Sequence, residues 1–432
     1  MKILVTGAGG FIGAQIVTDL LAAGHEVVCC ARNIAYTQHL FPTVKVIACD
    51  FKKDVQVADW LPRLEQIDVV INCVGILYHP NKKIIWATHY DAPKALFDAC
   101  VQSHVKQVIQ ISALGVEQSE VEYAKSKKAA DDYLLSLPLQ AVILRPSLVY
   151  GRGSYGGTSL FRGLASLPWL MPIPGKGEQQ FQPIHMEDLA KAIVKLIANP
   201  PEESQVLNAA GPELLNLKQV LRTLRSWLSF PKAKLFFIPL WLIKLGSRFG
   251  DLIPYSSLNS TSFKMMMQNN ITSNVEVEKF HAAIGFVPRS FSQGVYTQPA
   301  TVQDRWHARL FFVKPLVQLS LAFVWIWTAL CSAFFYSAAK SYQLLAEFGI
   351  SGVWQHLLLY SASLVDFLIG LAILVGFQAK KIGLLQIIVI VIYTVLISWR
   401  LPGFWLEPFA PIAKNIPILV LILIWLSLES DR

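Results

Sequence analysis

Short apolar runs alternate with helical patterns over the first 145 residues of the chain. Each run is five or six residues long, and helical patterns such as Asp91–Ser103 and Ala124–Leu137 lie between them. The runs occupy residues 2–6, 26–31, 44–48, 68–73, 106–111 and 140–144. This alternation predicts an α/β domain with a doubly wound parallel sheet. Such strands are apolar nearly throughout because helices cover both faces of the sheet.

The last 120 residues or so follow a different pattern, in which long apolar segments predict transmembrane helices. Four spans are expected, at about 315–336, 353–377, 382–399 and 409–428. The fourth reaches across about 30 Å of hydrocarbon only if residues 409–415 continue the helix of Ile416–Leu428. We therefore expect an α/β domain over 1–304, with a small cap region at about 150–300. A membrane domain, an all-α transmembrane bundle, is expected over 305–432.

Charge is distributed as these two patterns require. Only twelve charged residues follow Leu310, against 55 in the first 310. This contrast excludes a wholly soluble enzyme, a disordered chain and a small disulfide scaffold. The net charge of +9 is not gathered into basic clusters with interleaved aromatics, so no nucleic-acid partner is expected. The six cysteines show no metal-ligand spacing, so no metal site is expected either.

Basic residues next to the apolar segments predict the orientation in the membrane. Arg305, Arg309 and Lys314 precede the first segment, and Lys380 and Lys381 separate the second from the third. Loops rich in Lys and Arg stay on the cytoplasmic side. We expect a multi-pass protein of the cytoplasmic (inner) membrane with its α/β domain in the cytoplasm.

A glycine-rich loop follows the first strand and opens a helix. It reads Thr6-Gly-Ala-Gly-Gly-Phe-Ile-Gly13, with glycines at positions 7, 10 and 13. Gly7 allows the tight turn, Gly10 lets the backbone approach a pyrophosphate, and Gly13 permits close packing of helix on strand. The helix N-terminus offers free N–H groups to that anion. The loop predicts a Rossmann-type dinucleotide site that includes Phe11 and Ile12.

The residue after the second strand bears on the choice of cofactor. A site that prefers NAD places a carboxylate there to bind the ribose 2′-hydroxyl. This chain has Arg32 instead, and no acid between Glu26 and Asp50. An arginine suits the 2′-phosphate of NADP(H), which we expect as the cofactor, with NAD as the alternative. The competing interpretation is an exposed loop arginine.

Several further motifs match a known family in the same order along the chain. They are Asp50-Phe51, Asn72-Cys-Val-Gly75, Leu144-Arg-Pro-Ser-Leu-Val-Tyr-Gly151 and Gln182-Pro-Ile-His-Met-Glu-Asp-Leu189. With the glycine loop, these motifs resemble the extended and atypical short-chain dehydrogenase/reductases, an NAD(P)-dependent epimerase/dehydratase-like group. The branch is similar to the nucleotide-binding accessory subunit of respiratory complex I. The resemblance covers roughly residues 1–300.

That resemblance also implies roles for individual residues. It implies that Asp50 and Phe51 contact the adenine, Val74 and Gly75 the middle of the cofactor, and Pro146 and Val149 its nicotinamide end. For His185 and Asp188 we expect only a helix cap and a hydrogen bond from the cap region to the core.

The apolar tail resembles a second family. His356–Gly370 and the segments Trp405-Leu-Glu-Pro-Phe and Lys414-Asn-Ile-Pro417 are similar to DoxX-like four-helix membrane proteins. Asp366 lies near the middle of its segment, where an ionised carboxylate is costly, so it should face the interior of the bundle. Two explanations of Asp366 are open. It has a functional role, as a proton relay or a quinone or lipid contact, or it makes a structural hydrogen bond between helices.

Short-chain dehydrogenases use a Tyr-x-x-x-Lys pair on the helix after the fifth strand. Four tyrosines fit this spacing, but only Tyr123 and Lys127 follow the fifth apolar run and open a helix. The ammonium of Lys127 is expected to lower the pKa of the Tyr123 phenol so that it exchanges a proton near neutral pH. Ser112 is the candidate for polarising the substrate, although the family's serine falls nearer Leu114. The alternative makes Tyr123 a ribose or stacking contact in a sensor.

Together these features predict a membrane-tethered NADP(H)-binding oxidoreductase or epimerase. Its expected partners are a small apolar substrate, such as a quinone, lipid or isoprenoid, and the lipid bilayer. A membrane protein or a second copy of the chain is a further expected partner. The alternative function is a non-catalytic nucleotide-binding module that senses or stabilises a membrane assembly. The segment Leu235–Leu252 is either a cap helix over the cofactor cleft or a helix lying on the bilayer.

Overall fold

The apolar runs form a parallel sheet in the computed structural model, which describes residues 1–154, 157–251 and 259–429. The strands are β1 (Lys2–Thr6), β2 (Glu26–Ala31), β3 (Lys45–Ala48), β4 (Val69–Asn72), β5 (Gln107–Ile111), β6 (Gln140–Leu144), β7 (Val149–Tyr150), β8 (Leu170–Pro174), β9 (Gln180–Phe181), β10 (Ile184–His185), β11 (Gln205–Leu207), β12 (Leu215–Asn216) and β13 (Lys234–Ile238). Seven of them make the main sheet, in the order β11-β6-β5-β4-β1-β2-β3.

Strand β1 lies at the point where the strand order reverses. Strands β2 and β3 follow on one side of it, and β4 to β6 follow on the other, all parallel. Because successive connections leave this point in opposite directions, a crevice opens beyond the carboxyl ends of β1 and β4, where such sheets bind ligands. The predicted fold class is confirmed.

Helices cover both faces of the main sheet and form the cap region and the C-terminal bundle. They are α1 (Phe11–Ala22), α2 (Ile34–Leu40), α3 (Val57–Trp60), α4 (Lys82–Trp86), α5 (Ala92–Gln102), α6 (Glu122–Leu135), α7 (Gly157–Ser166), α8 (Met186–Ala198), α9 (Leu217–Trp227), α10 (Leu240–Gly250), α11 (Ser260–Met267), α12 (Asn274–Ile284), α13 (Phe291–Tyr296), α14 (Val302–Leu330), α15 (Ala338–Glu347), α16 (Val353–Leu374), α17 (Ala379–Arg400) and α18 (Asn415–Leu428). Short 3₁₀ or π turns lie at Leu61–Arg63, Ala87–Asp91, Cys331–Phe335 and Pro402–Trp405.

Two apolar cores flank the sheet, as its near-continuous apolar strands require. One core joins Ile3 and Val5 of β1 to helices α1 and α8, and the other joins Leu4 to Trp60 and to α5. Odd and even residues of β1 thus pack on opposite faces. The chain divides into two compact units, Met1–Arg309 and Leu310–Asp431. The sequence predicts this boundary slightly earlier in the chain, after residue 304.

The second unit is helical and apolar. The continuous helix Val302–Phe335 and helices α16 and α17 are long and apolar enough to cross a membrane. The interior of the second unit is built around Trp325 and Trp425, which are both buried. Gly370 and Gly383 let helices approach closely, because a Cβ at Gly370 would lie 2.6 Å from Ile326 Cγ1.

The fourth apolar segment differs from its expected course. Helix α18 begins at Asn415, so residues 409–414 do not extend it. Phe409 and Ala410 have positive φ, and Pro411 follows them, which ends helical geometry at that point. At about 1.5 Å per residue, the 14 residues of α18 rise about 21 Å, less than the hydrocarbon thickness of about 30 Å.

Candidate functional site

The glycine loop takes the shape that its spacing predicts. Gly7 has a φ of +66°, and a Cβ there would lie 3.2 Å from the carbonyl of Cys73. A Cβ at Gly13 would lie 2.3 Å from Gly7 O, so helix α1 crosses the loop at a distance that only glycine allows. Gly10 is the N-cap of α1, without a side-chain cap. The first N–H groups of α1 are therefore suited to an anion.

A buried polar chain fixes the next loop of the crevice. Thr6 Oγ1 donates to Asn72 Oδ1 at 2.6 Å, and Asn72 Nδ2 donates to Gln110 Oε1 at 2.8 Å. The backbone N–H of Val74 also donates to Asn72 Oδ1, at 3.3 Å. Because these bonds join β1, β4 and β5, they hold the loop of Val74 and Gly75 against the glycine loop.

The crevice is a cavity of about 700 Å³ at the carboxyl ends of β1 to β4. Ten of the twelve predicted cofactor residues line it: Gly7, Gly10, Phe11, Ile12, Gly13, Arg32, Asp50, Phe51, Val74 and Gly75. The other two lie elsewhere among the described residues. Pro146 O accepts a hydrogen bond from Leu114 N, and Val149 pairs with Ile184 in a two-stranded sheet. Their contact with the nicotinamide end stays a prediction.

Two cationic side chains line the part of this cavity that also holds Asp50 and Phe51. Arg32 is exposed there, and Lys52, which the sequence analysis did not single out, joins it. Asn33 caps α2 by accepting from Tyr36 N at 3.1 Å, so the turn after Arg32 has a fixed shape. Asp50 accepts from Lys52 N at 3.1 Å and shapes the opposite wall. Positive charge at this corner suits a cofactor phosphate.

Tyr123 and Lys127 lie one turn apart at the start of helix α6. The Lys127 ammonium donates to Ile111 O at 2.8 Å and lies 5.9 Å from the centre of the Tyr123 ring. It also approaches the cofactor cavity, since a Cβ at Gly75 would lie 3.5 Å from Lys127 Nζ. The structure thus brings Lys127, with Tyr123 beside it, to the loop of Val74 and Gly75 that lines the cavity.

Burial changes the acidity of both groups. It lowers the pKa of Lys127 to about 8, with a partial opposing effect from Asp131. It raises the pKa of Tyr123 above its usual range, and the charge of Asp131 adds to that rise. The sequence pattern instead predicts that the ammonium lowers the pKa of the phenol. In the structure the loss of solvent around the hydroxyl is the largest effect on its pKa, and it acts in the opposite direction.

Ser112 belongs to a buried ion-pair network. Its hydroxyl donates to Asp131 Oδ2 at 2.7 Å, and Arg145 Nε donates to the same oxygen at 3.2 Å. A second nitrogen of Arg145 donates to Glu117 at 2.6 Å. Leu114, where the family's serine was expected, is buried and cannot donate. The substrate-polarising role of Ser112 stays a prediction, and its hydroxyl proton is engaged by Asp131.

A histidine that the sequence analysis missed completes the surroundings of Tyr123. His89 is buried in the π turn before α5, and its ring meets the Tyr123 ring edge-on at 5.2 Å. Its Nε2 accepts from Ile76 N at 3.1 Å, which assigns the proton to Nδ1, 3.0 Å from Ser126 Oγ. Burial, with the nearby Lys127 charge, lowers the pKa of His89 well below its usual value. A neutral imidazole therefore links the Ile76 loop to α6.

His185 and Asp188 have the structural roles expected of them. His185 Nδ1 accepts from Glu187 N and caps helix α8. Asp188 accepts from the backbone N–H of Arg289 at 2.9 Å and from its guanidinium. Burial lowers the pKa of Arg289, but the carboxylates of Asp188 and Glu187 outweigh it and raise that pKa above its usual value. Among the described residues, no group of three or more His, Cys, Asp or Glu could hold a metal ion.

The carboxylate of the second apolar helix faces the interior of its bundle. Asp366 is buried, and its Oδ1 has no hydrogen-bond partner among the described residues. A second buried polar side chain, Gln386, accepts from Trp325 Nε1 at 3.0 Å. The role of Asp366 stays a prediction.

Comparison with known proteins agrees with this architecture. Residues 3–210 match the NAD dependent epimerase/dehydratase family, and residues 322–423 match the DoxX-like family. Residues 3–210 are therefore similar to epimerase/dehydratase proteins and residues 322–423 to DoxX-like proteins, and both predicted resemblances are confirmed.

Individual relatives are distant. The mitochondrial NADH dehydrogenase [ubiquinone] 1 alpha subcomplex subunit 9 of Arabidopsis thaliana is 25% identical over 54% of this chain and 62% of its own length. The ceramide reductase of Caulobacter vibrioides is 26% identical over 46% of this chain and 61% of its own. The matches thus span less than two thirds of either relative. The UDP-glucose 4-epimerase of Thermus thermophilus, solved in complex with NAD, shares the fold, with a TM-score of 0.53, 21% identity and coverage of 72% of this chain and 99% of that one.

Proposed function

We propose that this protein is a membrane-tethered NADP(H)-dependent oxidoreductase or epimerase that acts on an apolar substrate. Tyr123 would be the acid/base, and Lys127 the cation that tunes it. The observation that carries the proposal is the position of this pair. Lys127 reaches the Gly75 loop of the dinucleotide cavity, and Tyr123 lies beside it on the same face of α6. When bound, the nicotinamide would supply hydride transfer, and the protein would supply binding, orientation and proton exchange.

The walls around Tyr123 support an apolar substrate. A cluster of buried side chains, Val116, Val121 and Ala124, packs against the Tyr123 ring. Met265 of α11 joins this cluster and accepts a weak hydrogen bond from Ser119 at 3.7 Å. Methionine side chains adapt to irregular apolar partners. One relative is named for reduction of a lipid, which agrees in class with this lining.

Arg32 and Lys52 support NADP(H) over NAD at the adenine end of the cavity. A guanidinium binds a 2′-phosphate in a bidentate manner, and a second cation adds to the attraction. The membrane domain would keep the active site near a substrate that partitions into the bilayer, with the α/β domain in the cytoplasm of an inner membrane.

The test begins with the detergent-solubilised full chain and a membrane lipid extract, following NADPH absorbance. Once turnover is found, Tyr123→Phe should retain NADPH affinity within about threefold and lose about 100-fold in kcat, the effect of removing a positioned acid/base. Unchanged turnover in Tyr123→Phe would refute the assigned mechanism.

A second candidate is a non-catalytic nucleotide-binding module that senses or stabilises a membrane assembly. It is favoured because the Ser112 hydroxyl already donates its hydrogen bond to Asp131, and because the residue at position 114 is a buried leucine, which cannot donate one. A module of this kind would bind NADPH without turnover on any extract. Tyr123→Phe would then alter only cofactor affinity or the amount of assembled complex.

A further inference from the structure

An exposed apolar face on the first unit stands out against its polar surroundings. It lies on the ribbon of β8 and β13 and on the helix α10 that follows. Trp169 is 83% exposed, Trp241 67% and Phe236 52%. We name it the ribbon–helix face, and its apolar members are Trp169, Leu170, Phe236, Trp241, Leu242 and Leu245.

The register of the ribbon places apolar side chains on one outward side. Strands β8 and β13 pair in parallel, with Lys234 opposite Leu170 and Phe236 opposite Pro172. Because partners in register point to the same side, Leu170, Pro172 and Phe236 share one side. The alternate residue Met171 is buried against the body of the unit.

Helix α10 continues the face by its own periodicity. Trp241, Lys244, Leu245 and Arg248 follow one another at intervals of three or four residues and are all exposed. Gly250, which lies half a turn from Trp241 around the helix axis, is buried. Residues at this spacing lie on one side of a helix. The helix thus packs on the unit by one side and presents aromatic, aliphatic and cationic side chains by the other.

Basic residues predominate along the segment that carries most of this face. Residues 214–250 contain seven basic residues and no acidic ones. Lys232, Lys234, Lys244 and Arg248 are exposed on or beside the ribbon and α10. Tryptophan with lysine and arginine at the edge of an apolar surface is typical of a segment lying in the interface of a bilayer with anionic lipids.

We propose that the ribbon–helix face docks on the surface of an anionic lipid bilayer. Within the described part of the same polypeptide, three helices are long and apolar enough to cross a membrane, so the first unit would stay near a bilayer surface at high effective concentration. Docking would bury Trp169, Trp241 and Phe236 at the headgroup boundary and pair the lysines and arginines with lipid phosphates. It extends the proposed function without depending on it, because it requires no bound cofactor and no turnover.

The experiment uses the full chain in nanodiscs of phosphatidylcholine with or without about 30% phosphatidylglycerol. A photoreactive p-benzoylphenylalanine takes the place of Trp241, and in a matched control it takes the place of Val275, which is 72% exposed on α12. After irradiation, intact-mass spectrometry distinguishes phospholipid adducts from cross-linked protein. At position 241 the yield of lipid adduct in anionic nanodiscs should exceed that at position 275 by about fivefold or more.

A charge variant tests the electrostatic part. The double substitution Lys244→Glu and Arg248→Glu should bring the yield of lipid adduct at position 241 in anionic nanodiscs close to that in neutral ones, and about 0.5 M salt should act in the same direction. A thermal unfolding curve matching the parent protein verifies that the variant folds. Equal lipid yields at positions 241 and 275, or a dominant cross-link to a second copy of the chain, would overturn the proposal.

Discussion

Gly13→Ala is the most direct perturbation of the dinucleotide site, because the added atom meets backbone. The new Cβ would lie 2.3 Å from Gly7 O, 2.9 Å from Gly7 C and 3.2 Å from Ala8 Cα. A carbon in ordinary contact stays about 3.5 Å or more away. The glycine loop or helix α1 must therefore move by about 1 Å.

Neither partner can move without cost to the site. Gly10 N donates to Gly7 O at 2.9 Å, so moving Gly7 O disturbs the turn that exposes the N-terminus of α1. Gly7 itself lies against the Cys73 carbonyl, which blocks movement on that side. Losing one hydrogen bond to a charged phosphate costs about 1.5–3 kcal/mol. That corresponds to a roughly 10- to 100-fold weaker affinity for the cofactor.

The measurement is a calorimetric titration of NADPH into the detergent-solubilised full chain. The matched control is Gly403→Ala, since a Cβ at Gly403 meets nothing within 4 Å and that glycine lies in the second unit. We expect the control to bind as the parent does. A Gly13→Ala protein that unfolds at the parent temperature and binds NADPH within twofold of the parent would refute this account of the loop.

Three further predictions concern the cofactor, the buried lysine and the helical bundle. Arg32→Ser should weaken NADPH binding by about 10-fold or more and leave NADH binding nearly unchanged, because only NADPH carries the 2′-phosphate. A parent protein that binds NADH as tightly as NADPH would contradict the assignment of NADP(H) as the cofactor. For Lys127, burial lowers the folded-state pKa from 10.5 to about 8, so between these values the unfolded chain binds more protons. The parent protein should therefore gain stability relative to Lys127→Met as the pH rises from 8 to 10, by up to about 1.4 kcal/mol per pH unit. The gain is measured as a rising difference between the unfolding temperatures of the two proteins. A difference that stays constant over this pH range would show that the ammonium is not desolvated. Gly370→Ala should destabilise the second unit by about 1–3 kcal/mol, because its Cβ would lie 2.6 Å from Ile326 Cγ1 and 3.2 Å from Ala322 O. Thermal unfolding measures this loss, with Gly403→Ala as the control. Equal unfolding temperatures for the two variants would mean that the helices separate freely.

The main sheet could be predicted because its signals are local. Strands β1, β2 and β6 begin and end at the predicted residues, and β3, β4 and β5 are shorter than predicted by one or two residues. Strand β11 was missed since a strand of three residues has too short a pattern. Strand β13 was missed for another reason. It lies inside an apolar segment interpreted as helical, and only pairing with the distant β8 makes it a strand.

Long-range contacts explain the other differences. The glycines of the loop follow one another in sequence, so their spacing was sufficient to place them at the cavity. His89 lies in an ordinary helical pattern, and its position near Tyr123 depends on a hydrogen bond from Ile76 and on the fold of α6. The helix of the predicted fourth span begins only at Asn415, because Phe409 and Ala410 take positive φ, a conformation that apolar composition does not reveal.

The network around Ser112 explains how Tyr123 and Lys127, the pair proposed as catalytic, are held in place although Ser112 is hydrogen-bonded to Asp131. Asp131 lies on α6, one turn beyond Lys127, and it accepts hydrogen bonds from Ser112 after β5 and from Arg145 after β6. Because the two donors follow adjacent strands, their bonds fasten α6 to the carboxyl edge of the sheet. Lys127 adds a third attachment through Ile111 O. The residues that the sequence predicts to be catalytic thus divide into two groups. Lys127 reaches the Gly75 loop of the cavity with Tyr123 beside it, and Ser112 holds the helix that carries them.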